Sequence, residues 1–538
     1  SWRVFIFKMR IGLFEQYTFF IYNLYMTYSN LVKKVLETRE PDSSKWDQWT
    51  QTLDLYPISN CDSIQTFKQM IEQFQKENTK VIVAGDYDCD GILATTIMVS
   101  GLRQLGLEAN FYVPDRIKEG YGLSINTVRM AHQKGYKAII TVDNGVSAHE
   151  ALLQAKEYGM HVIVTDHHTI ETEIPCDCLV HPTLMEEHFS TLCGAAVAYE
   201  CIRSLGIDDS YLLQLAGVAS IGDVMVVKGQ TRALIQQAIL SLNQRHEPHI
   251  FSLLDSQTCN DENIAFQVVP KINAVGRLSN LGNANNVVRY FLSEDYFIIQ
   301  SYKDQIIRLN EQRKRFSQEM VQIAKSKLHA QDEVYVVADA SFHEGIIGLV
   351  AGNICSQTKK PTIILAKTPN GYKASMRSPS GFDCMEFLKP FEHFSQLGGH
   401  TQAAGFFINL VDYSLFTQFI KKRASEYKWK AQKEETILVT EEDLTIEEIQ
   451  SLDILRPFGP GFEKPFFEIQ EPFVKRMFSF QNGKHCKYTL YSGLQCMNFN
   501  QSQADRDIAT SQLKSFKGYA TINEYRGKQE STFILESI

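Results

Sequence analysis

Between Lys80 and Asp223, short apolar runs alternate with segments of helical period: VIVAG, TTIMVSGLRQLG, ANFYVP, NTVRMAHQKG, KAIITVDNG, AHEALLQAKEYG and HVIVTDHH. Apolar runs joined by helical crossovers indicate a mostly parallel sheet with helices on both faces. Such sheets gather ligands beyond the carboxyl ends of their strands. The acids of this chain sit there: Asp86, Asp88 and Asp90 end one apolar run, Asp143 another, and Asp166, His167 and His168 a third.

The alternation changes character further on. From about Ser293 to Ala330 a charged stretch of helical period contains no Gly or Pro and reads as one helix connecting two domains. EVYVVA and TIILA frame HEGIIGLVAGNI, which suggests a second α/β unit reaching about Glu434. Beyond the Gly- and Pro-rich LRPFGPGFEKPFF come FVKRMFSF, HCKYTLYSG, KGYATINEYRG and STFILESI, short alternating strands that suggest a small barrel. The expected order is an N-terminal extension (1–25), a parallel-sheet domain (26–285), a connecting helix (286–330), a smaller α/β domain (331–434) and the barrel (435–538). No repeat or low-complexity tract interrupts it.

A chain of 538 residues, 44% of them hydrophobic, has room for three or four domains with cores. A net charge of -8 weakens a nucleic-acid reading without excluding it, because carboxylates that bind metal count in that sum. The 11 cysteines form no CxxC pair; Cys176 and Cys178 give only CxC, which fits reduced thiols in the cytosol. Residues 1–25 are apolar and aromatic, yet Lys8, Arg10 and Glu15 interrupt them and no cleavage site follows. They are read as neither signal peptide nor membrane span, with Met26 as the natural start.

Three acids at the mouth of a buried strand repel one another unless a cation sits between them. DYDCDG opens like a calcium-binding EF-hand loop, but that loop needs a Glu at its twelfth position and a helix before it. Here the twelfth position is Ile97 and VIVAG is a strand. A lone DxD is most often a solvated turn; VDNG at Asp143, TDHH at 165–168 and SIGDVM with Asp223 shift that balance. Asp86, Asp88, Asp90, Asp143, Asp223 and His167 can supply two octahedral sites, with Asp143 able to bridge them. Carboxylates suit magnesium or manganese, and the imidazole tilts the choice toward manganese. Two such cations stabilise both the attacking and the leaving oxygen of a phosphoester hydrolysis.

In this order, DYDCDG, VDNG, DHH and IGDV resemble the metal motifs of the DHH phosphoesterase superfamily, whose ligands match Asp86, Asp88, Asp90, Asp143, His167 and Asp223. PDRIKEGYGLS (114–124), PKINAVGRL (270–278), HEGIIGLVAGNI (343–354), LGGHTQAAGF (397–406), LRPFGPGFEKPFF (455–467) and INEYRG (522–527) resemble its RecJ family of single-strand-specific 5′–3′ DNA exonucleases, from Lys80 to Ile538.

The resemblance implies an OB-fold for the C-terminal barrel, cytoplasmic work in DNA recombination and repair, single-stranded DNA as the main partner, and cooperation with a helicase and a single-strand-binding protein. Arg116, Arg277 and Arg377, with Ser375, would clamp the DNA backbone and the 5′ end. Gly398, Gly399 and His400, expected where a helix begins, would hold the scissile phosphate opposite the metals; His168 would support catalysis near the attacking water. After Pro465 stand nine Lys or Arg against seven Asp or Glu, with Phe478, Phe480, Tyr488, Tyr491, Phe499, Tyr519 and Tyr525 interleaved, as a strand-stacking groove requires. About half of these rings should face the barrel core. The alternatives are a DHH-type oligoribonuclease or cyclic-dinucleotide phosphodiesterase, and a non-catalytic DNA-binding replication scaffold.

Overall fold

The computed structural model describes residues 28–538 apart from 246, 433–434, 500–512 and 526, so the reading of residues 1–25 falls outside the described residues. The chain divides into two compact units: Thr52–Lys433 with Gly459–Phe462, and the described residues up to Gln51 with Glu434–Phe458 and Glu463–Ile538.

The larger unit begins with an all-parallel sheet of β1 (Val81–Ala84), β2 (Ala109–Tyr112), β3 (Ala138–Val142), β4 (His161–Thr165) and β5 (Cys178–Val180), in the order β2-β1-β3-β4-β5. β1 and β3 are buried along their whole length, as strands covered on both faces must be. On one face lie Cys89–Gln104 and Gly194–Ser204; on the other, Ile125–Gln133 and His149–Glu157 close a second core around Ile82, Ile139 and Val162. The register aligns Ala84 with Thr141, and Val142 with Thr165. The loops that leave β1, β3 and β4 therefore emerge side by side. β1 and β3 flank the point where the strand order reverses, which is where open α/β sheets place a ligand.

Helix Tyr296–Ser326 spans about 46 Å at the usual rise per residue. It starts at Asp295, whose side chain accepts from the Phe297 and Ile298 N–H groups, while Ala284–Leu292 before it is a separate helix that buries Val287, Val288 and Phe291 in the first domain. The second α/β domain is a mixed sheet of β6 (Tyr335–Asp339), β7 (Thr362–Lys367), β8 (Gly371–Arg377), β9 (Phe394–His400) and β10 (Ala403–Asn409), ordered β6-β7-β8-β10-β9. One face has its own core around Phe382, Phe387, Phe406 and Phe416. The other shares the core of the first domain: Ile347, Val350 and Ile354 belong to the same cluster as Met320, Val321 and Ala324 of the long helix.

The smaller unit carries the sheet β11 (Ile437–Leu438), β12 (Phe467–Gln470), β13 (Val474–Phe480), β14 (His485–Leu490), β15 (Gln495–Asn498), β16 (Ser515–Tyr525) and β17 (Lys528–Ser537), ordered β11-β12-β16-β17-β15-β14-β13. Helix Asn30–Arg39, which the sequence pattern groups with 26–285, belongs to this unit. It buries Leu31, Val32, Val35 and Leu36, and its Asn30 side chain donates to Asp443 while the Leu31 N–H donates to Glu448. Of the barrel aromatics, Tyr488 is buried and Phe478, Tyr491 and Phe499 are exposed; the Tyr525 side chain lies outside the described residues. Phe478 stands opposite Lys487 and Phe480 opposite His485, which puts aromatic rings, an imidazole and a lysine on one open face of the β13–β14 pair. Among the described residues no helix is long and apolar enough to cross a membrane.

Candidate metal centre

Each of the side-by-side loops is pinned by backbone hydrogen bonds that aim its acids inward. After β1 the chain turns directly into Cys89–Gln104: Asp88 caps this helix by accepting from the Gly91 N–H, and the Cys89 N–H donates to Asn273 Oδ1 at 2.7 Å. A Cβ on Gly91 would stand 2.6 Å from Asp86 Cβ, so only glycine lets the carboxylate lie across the helix start. Asp90 accepts from Gly194 and Ala195 N–H at 2.7 and 2.8 Å, the free donors of the helix Gly194–Ser204.

After β3, Asp143 adopts a left-handed φ of 59°, a conformation that costs a non-glycine residue energy and marks functional loops. Its N–H donates to the Thr165 carbonyl, and its own carbonyl accepts from the Tyr121 hydroxyl. Asn144 ties the turn down, donating to the Ala84 and Val142 carbonyls and accepting from the Leu123 N–H.

After β4, fully buried Asp166 organises the loop: it accepts from the N–H groups of Val146, His167 and His168 and pairs with His168 Nδ1 at 2.8 Å. The His168 carbonyl accepts from His181 Nε2. Asp223 follows the helix Ser210–Gly222 as its C-cap.

Two groups of ligand atoms result. Asp86, Asp88 and Asp143 form one, Asp90, His167 and Asp223 the other; within each, all atoms lie within 4.8 Å of one another, and Asp143 also groups with His167 and His168. His167 Nε2 stands 3.2 Å from Asp143 Oδ1, 3.5 Å from Asp223 Oδ2 and 3.7 Å from Asp90 Oδ2. The fit to divalent cations rests on three buried atoms that find no hydrogen-bond partner among the described residues: Asp86 Oδ1, Asp143 Oδ1 and His167 Nε2. Orphaned acceptors inside a fold are costly unless something else satisfies them.

The electrostatics agree. Burial first, and neighbouring carboxylates second, push Asp86 and Asp143 well above the usual carboxylate range and Asp223 up to about 8. Burial lowers the affinity of His167 for a proton, which leaves its imidazole neutral, as a ligand must be. Burial alone would raise Asp166, but its bonds to His168 and to the backbone outweigh that and hold it low. His168 titrates high: burial works against its charge, and the Asp166 pairing prevails.

Beside the carboxylates lies a cluster of guanidinium groups. Arg116 stacks 4.9 Å over the Tyr87 ring, and Arg377 donates to Ser375 Oγ at 2.9 Å. Arg277 is pushed down to about 10 by burial and then by Arg116, Arg313 and Arg377, yet stays cationic at neutral pH. Four cations held together in a half-buried space form a site for an anion.

Arg313 is absent from the sequence candidates because it sits in the charged helix Tyr296–Ser326, whose arginines read as solvated. Asn144, Asp166, Asn273 and Tyr121 lie inside recognised motifs, the last two with no chemical signal of their own, while Gly194 lies in none.

One expectation is corrected. Gly398, Gly399 and His400 do not precede a helix but end β9, an edge strand paired with Gly405, Ala404 and Ala403, so no row of free helix N–H groups is present there. The alternation of LGGHTQAAGF across a tight turn is a hairpin pattern. His400 is exposed and lines a cavity with Ser380, Asp383, Thr401 and Gln432.

Residues 80–222 match the DHH family, N-terminal domain; 331–426 match the DHHA1 domain; 437–537 match the RecJ OB domain. The single-stranded-DNA-specific exonuclease RecJ of Bacillus subtilis (strain 168) is 29% identical over 535 residues, covering 94% of this chain and 67% of its own length. RecJ of Thermus thermophilus is 29% identical, over 74% of this chain and 60% of its own length, and RecJ of Haemophilus influenzae 27%, over 88% and 90%. This chain thus spans about two thirds of the first and less of the second. Among solved structures, exonuclease RecJ bound to manganese superposes with a TM-score of 0.61 at 29% identity, over 70% of this chain and 97% of that one. The manganese complex of RecJ from Thermus thermophilus gives 0.82 at 24% identity, over 95% and 76%.

Proposed function

We propose, from the match of its three domains to the DHH family N-terminal, DHHA1 and RecJ OB domains, that the chain is a metal-dependent exonuclease that hydrolyses single-stranded DNA from the 5′ end to 5′-mononucleotides. The observation that carries this reading is the convergence of three orphaned buried atoms, Asp86 Oδ1, Asp143 Oδ1 and His167 Nε2, at the strand ends beside an arginine cluster.

Asp86, Asp88 and Asp143 would hold one divalent cation, and Asp90, His167 and Asp223 the other, with Asp143 shared; manganese fits the imidazole and magnesium the carboxylates. When bound, the pair supplies a water of lowered pKa and stabilises charge on the phosphate. The protein does the rest. Arg116, Arg277, Arg313 and Arg377, with Ser375, hold the strand's phosphates and the 5′ end. His168, oriented by Asp166, whose pairing favours the protonated imidazole, would place a donor at the mouth of the site, where the leaving oxygen needs a proton. His400, with Gly398 and Gly399, presents an exposed strand edge to the backbone of the substrate. The open β13–β14 face, with Phe478 and Lys487, offers a ring for stacking bases and a cation for neutralising phosphates of a single strand.

The reading places the protein in the cytoplasm, in DNA recombination and repair, working on strands that a helicase exposes and a single-strand-binding protein covers. End-labelled single-stranded DNA, duplex DNA, short RNA and a cyclic dinucleotide, each incubated with manganese or with chelator, test it. Metal-dependent release of mononucleotides from the 5′ end of single-stranded DNA alone is expected. Preference for the RNA or the cyclic dinucleotide would shift the reading to a small-substrate phosphodiesterase, and no cleavage of any would leave a binding protein.

A further inference from the structure

Three glycines make close contacts in series between the carboxylate cluster and the arginine clamp. A Cβ on Gly276 would stand 2.3 Å from the carbonyl oxygen of Tyr87, inside the DYDCDG loop. A Cβ on Gly345 would stand 1.9 Å from the carbonyl oxygen of Arg277, the residue after Gly276. A Cβ on Gly348 would stand 3.2 Å from both Arg377 Nη2 and Ser375 Oγ. None of the three has a left-handed φ, so glycine serves closeness here rather than backbone freedom.

The junction is also latched. The Gly345 N–H donates to His343 Nδ1 at 3.1 Å, which leaves the ring proton on Nε2, and Nε2 donates to Asn280 Oδ1 at 3.1 Å. The same ring lies parallel to Phe316 of the long helix, with centroids 6.3 Å apart. One imidazole thus joins the first domain, the connecting helix and the corner that enters the second domain's helix Ile347–Thr358.

We propose that the series Gly276, Gly345 and Gly348, latched by His343, is a spacer that fixes the distance from the metal centre to the 5′-end clamp and thereby the length of the fragment released. The proposal rests on the exonuclease reading. Successive phosphates of one stacked strand advance by only about 3.4 Å along the helix axis, so a shift of half that blurs which bond is cut. Relieving the Gly345 contact to ordinary van der Waals distance would open the junction by about 1.5 Å.

The test uses the full chain with manganese and compares wild type, G345A and G348A. Substrates are a 5′-phosphorylated and a 5′-hydroxyl oligonucleotide, with product size resolved, and a chromogenic p-nitrophenyl ester of thymidine 5′-phosphate, which needs only the metal centre. Wild type is expected to release mononucleotides. G345A should release a mixture in which dinucleotide rises at least about fivefold, and should lose about tenfold in KM preference for the phosphorylated end, with the chromogenic rate within about twofold. G348A meets only side-chain ends and gains helix propensity, so it should fold at least as well as wild type and raise KM for the phosphorylated strand by a fewfold. Unchanged product length and unchanged KM preference in folded variants would overturn the spacer and leave the exonuclease reading intact. So would chromogenic and strand-cutting rates that fall together, because the glycines would then only support the metal loop. If G345A does not fold, G348A decides by the same KM criterion. A wild type that releases no mononucleotide overturns the exonuclease reading, and the spacer with it.

Discussion

Gly194→Ala should disable the enzyme although residue 194 carries no chemical group. A Cβ there would lie 2.4 Å from Asp143 Cβ, 2.6 Å from Asp143 Oδ1 and 2.7 Å from Asp143 Cα. Reaching ordinary contact takes a displacement of about 1 Å, shared between two rigid partners. Helix Gly194–Ser204 is held by the bonds its first N–H groups make to Asp90, and Asp143 by Thr165 and Tyr121. Metal–ligand distances tolerate only about 0.2 Å. On the proposed ligand set, the Asp143 carboxylate would therefore be lost as a ligand while the fold survives, overpacking costing about 1–3 kcal/mol. At about 1.4 kcal/mol per factor of ten, loss of one ligand from a two-metal site should lower kcat at least about 100-fold. Manganese titration of single-strand hydrolysis would show this, with a raised half-saturating concentration, and the melting temperature would report folding. Activity within about threefold of wild type at an unchanged manganese midpoint would refute the packing argument.

Asp143→Asn should abolish hydrolysis by more than about a thousandfold and, without metal, raise the melting temperature, because it removes one member of a repelling cluster; a lower metal-free melting temperature would contradict this. The pH dependence of the metal-free protein follows from the raised carboxyls. Their folded values lie above the unfolded ones, so the stability they contribute is complete at acid pH and is lost as pH rises, through about 8 for Asp223. The gain in melting temperature on adding manganese should accordingly be larger near pH ~8 than near pH ~5.5, and equal gains would count against the cluster as the binding site. Arg377→Ala should weaken the preference for a 5′-phosphorylated end more than it slows cutting at saturation, and the reverse pattern would reassign the residue. Phe478→Ala with Lys487→Ala should weaken binding of long strands by about 1–3 kcal/mol and flatten its salt dependence, leaving dinucleotide hydrolysis unchanged; unaltered affinity would remove the open sheet face from the binding path.

The sequence makes the first domain legible because its signals are local. VIVA is apolar throughout, and AIITV and HVIVT are apolar apart from their threonines and His161, the pattern of strands in a doubly covered parallel sheet. The acids can then be placed at strand ends from order alone. What stays hidden are contacts between residues far apart in the chain: Gly194 against Asp143, Asn273 on Cys89 and Gly345 against Arg277. A small residue or an amide leaves no periodic trace. The hairpin at His400 escapes because two glycines before a histidine resemble a helix entry as readily as an edge strand. Helix Asn30–Arg39 has an ordinary amphipathic stripe, which says that a face is buried but not which neighbour buries it.

The arrangement also explains how so much like charge persists beside a buried sheet. Asp90 and Asp166 are each tied to two or more backbone N–H groups, which the helix start at Gly194 and the turns after β3 and β4 present without entropy cost once the sheet is formed. These two carboxylates are anchored by the fold. Asp86 and Asp143 are the opposite case: each leaves an oxygen buried and unbonded, and the Asp143 backbone holds a left-handed φ that an aspartate adopts only at a cost. Fixed carboxylates set the frame, and the unbonded oxygens face the space the frame encloses. Binding a cation there satisfies the orphaned acceptors, relieves the repulsion and offsets the strain at once. Folding and metal affinity would thereby be linked through Asp143, so that metal binding is expected to suffer both from removal of its carboxylate and from a methyl group on the glycine packed against it.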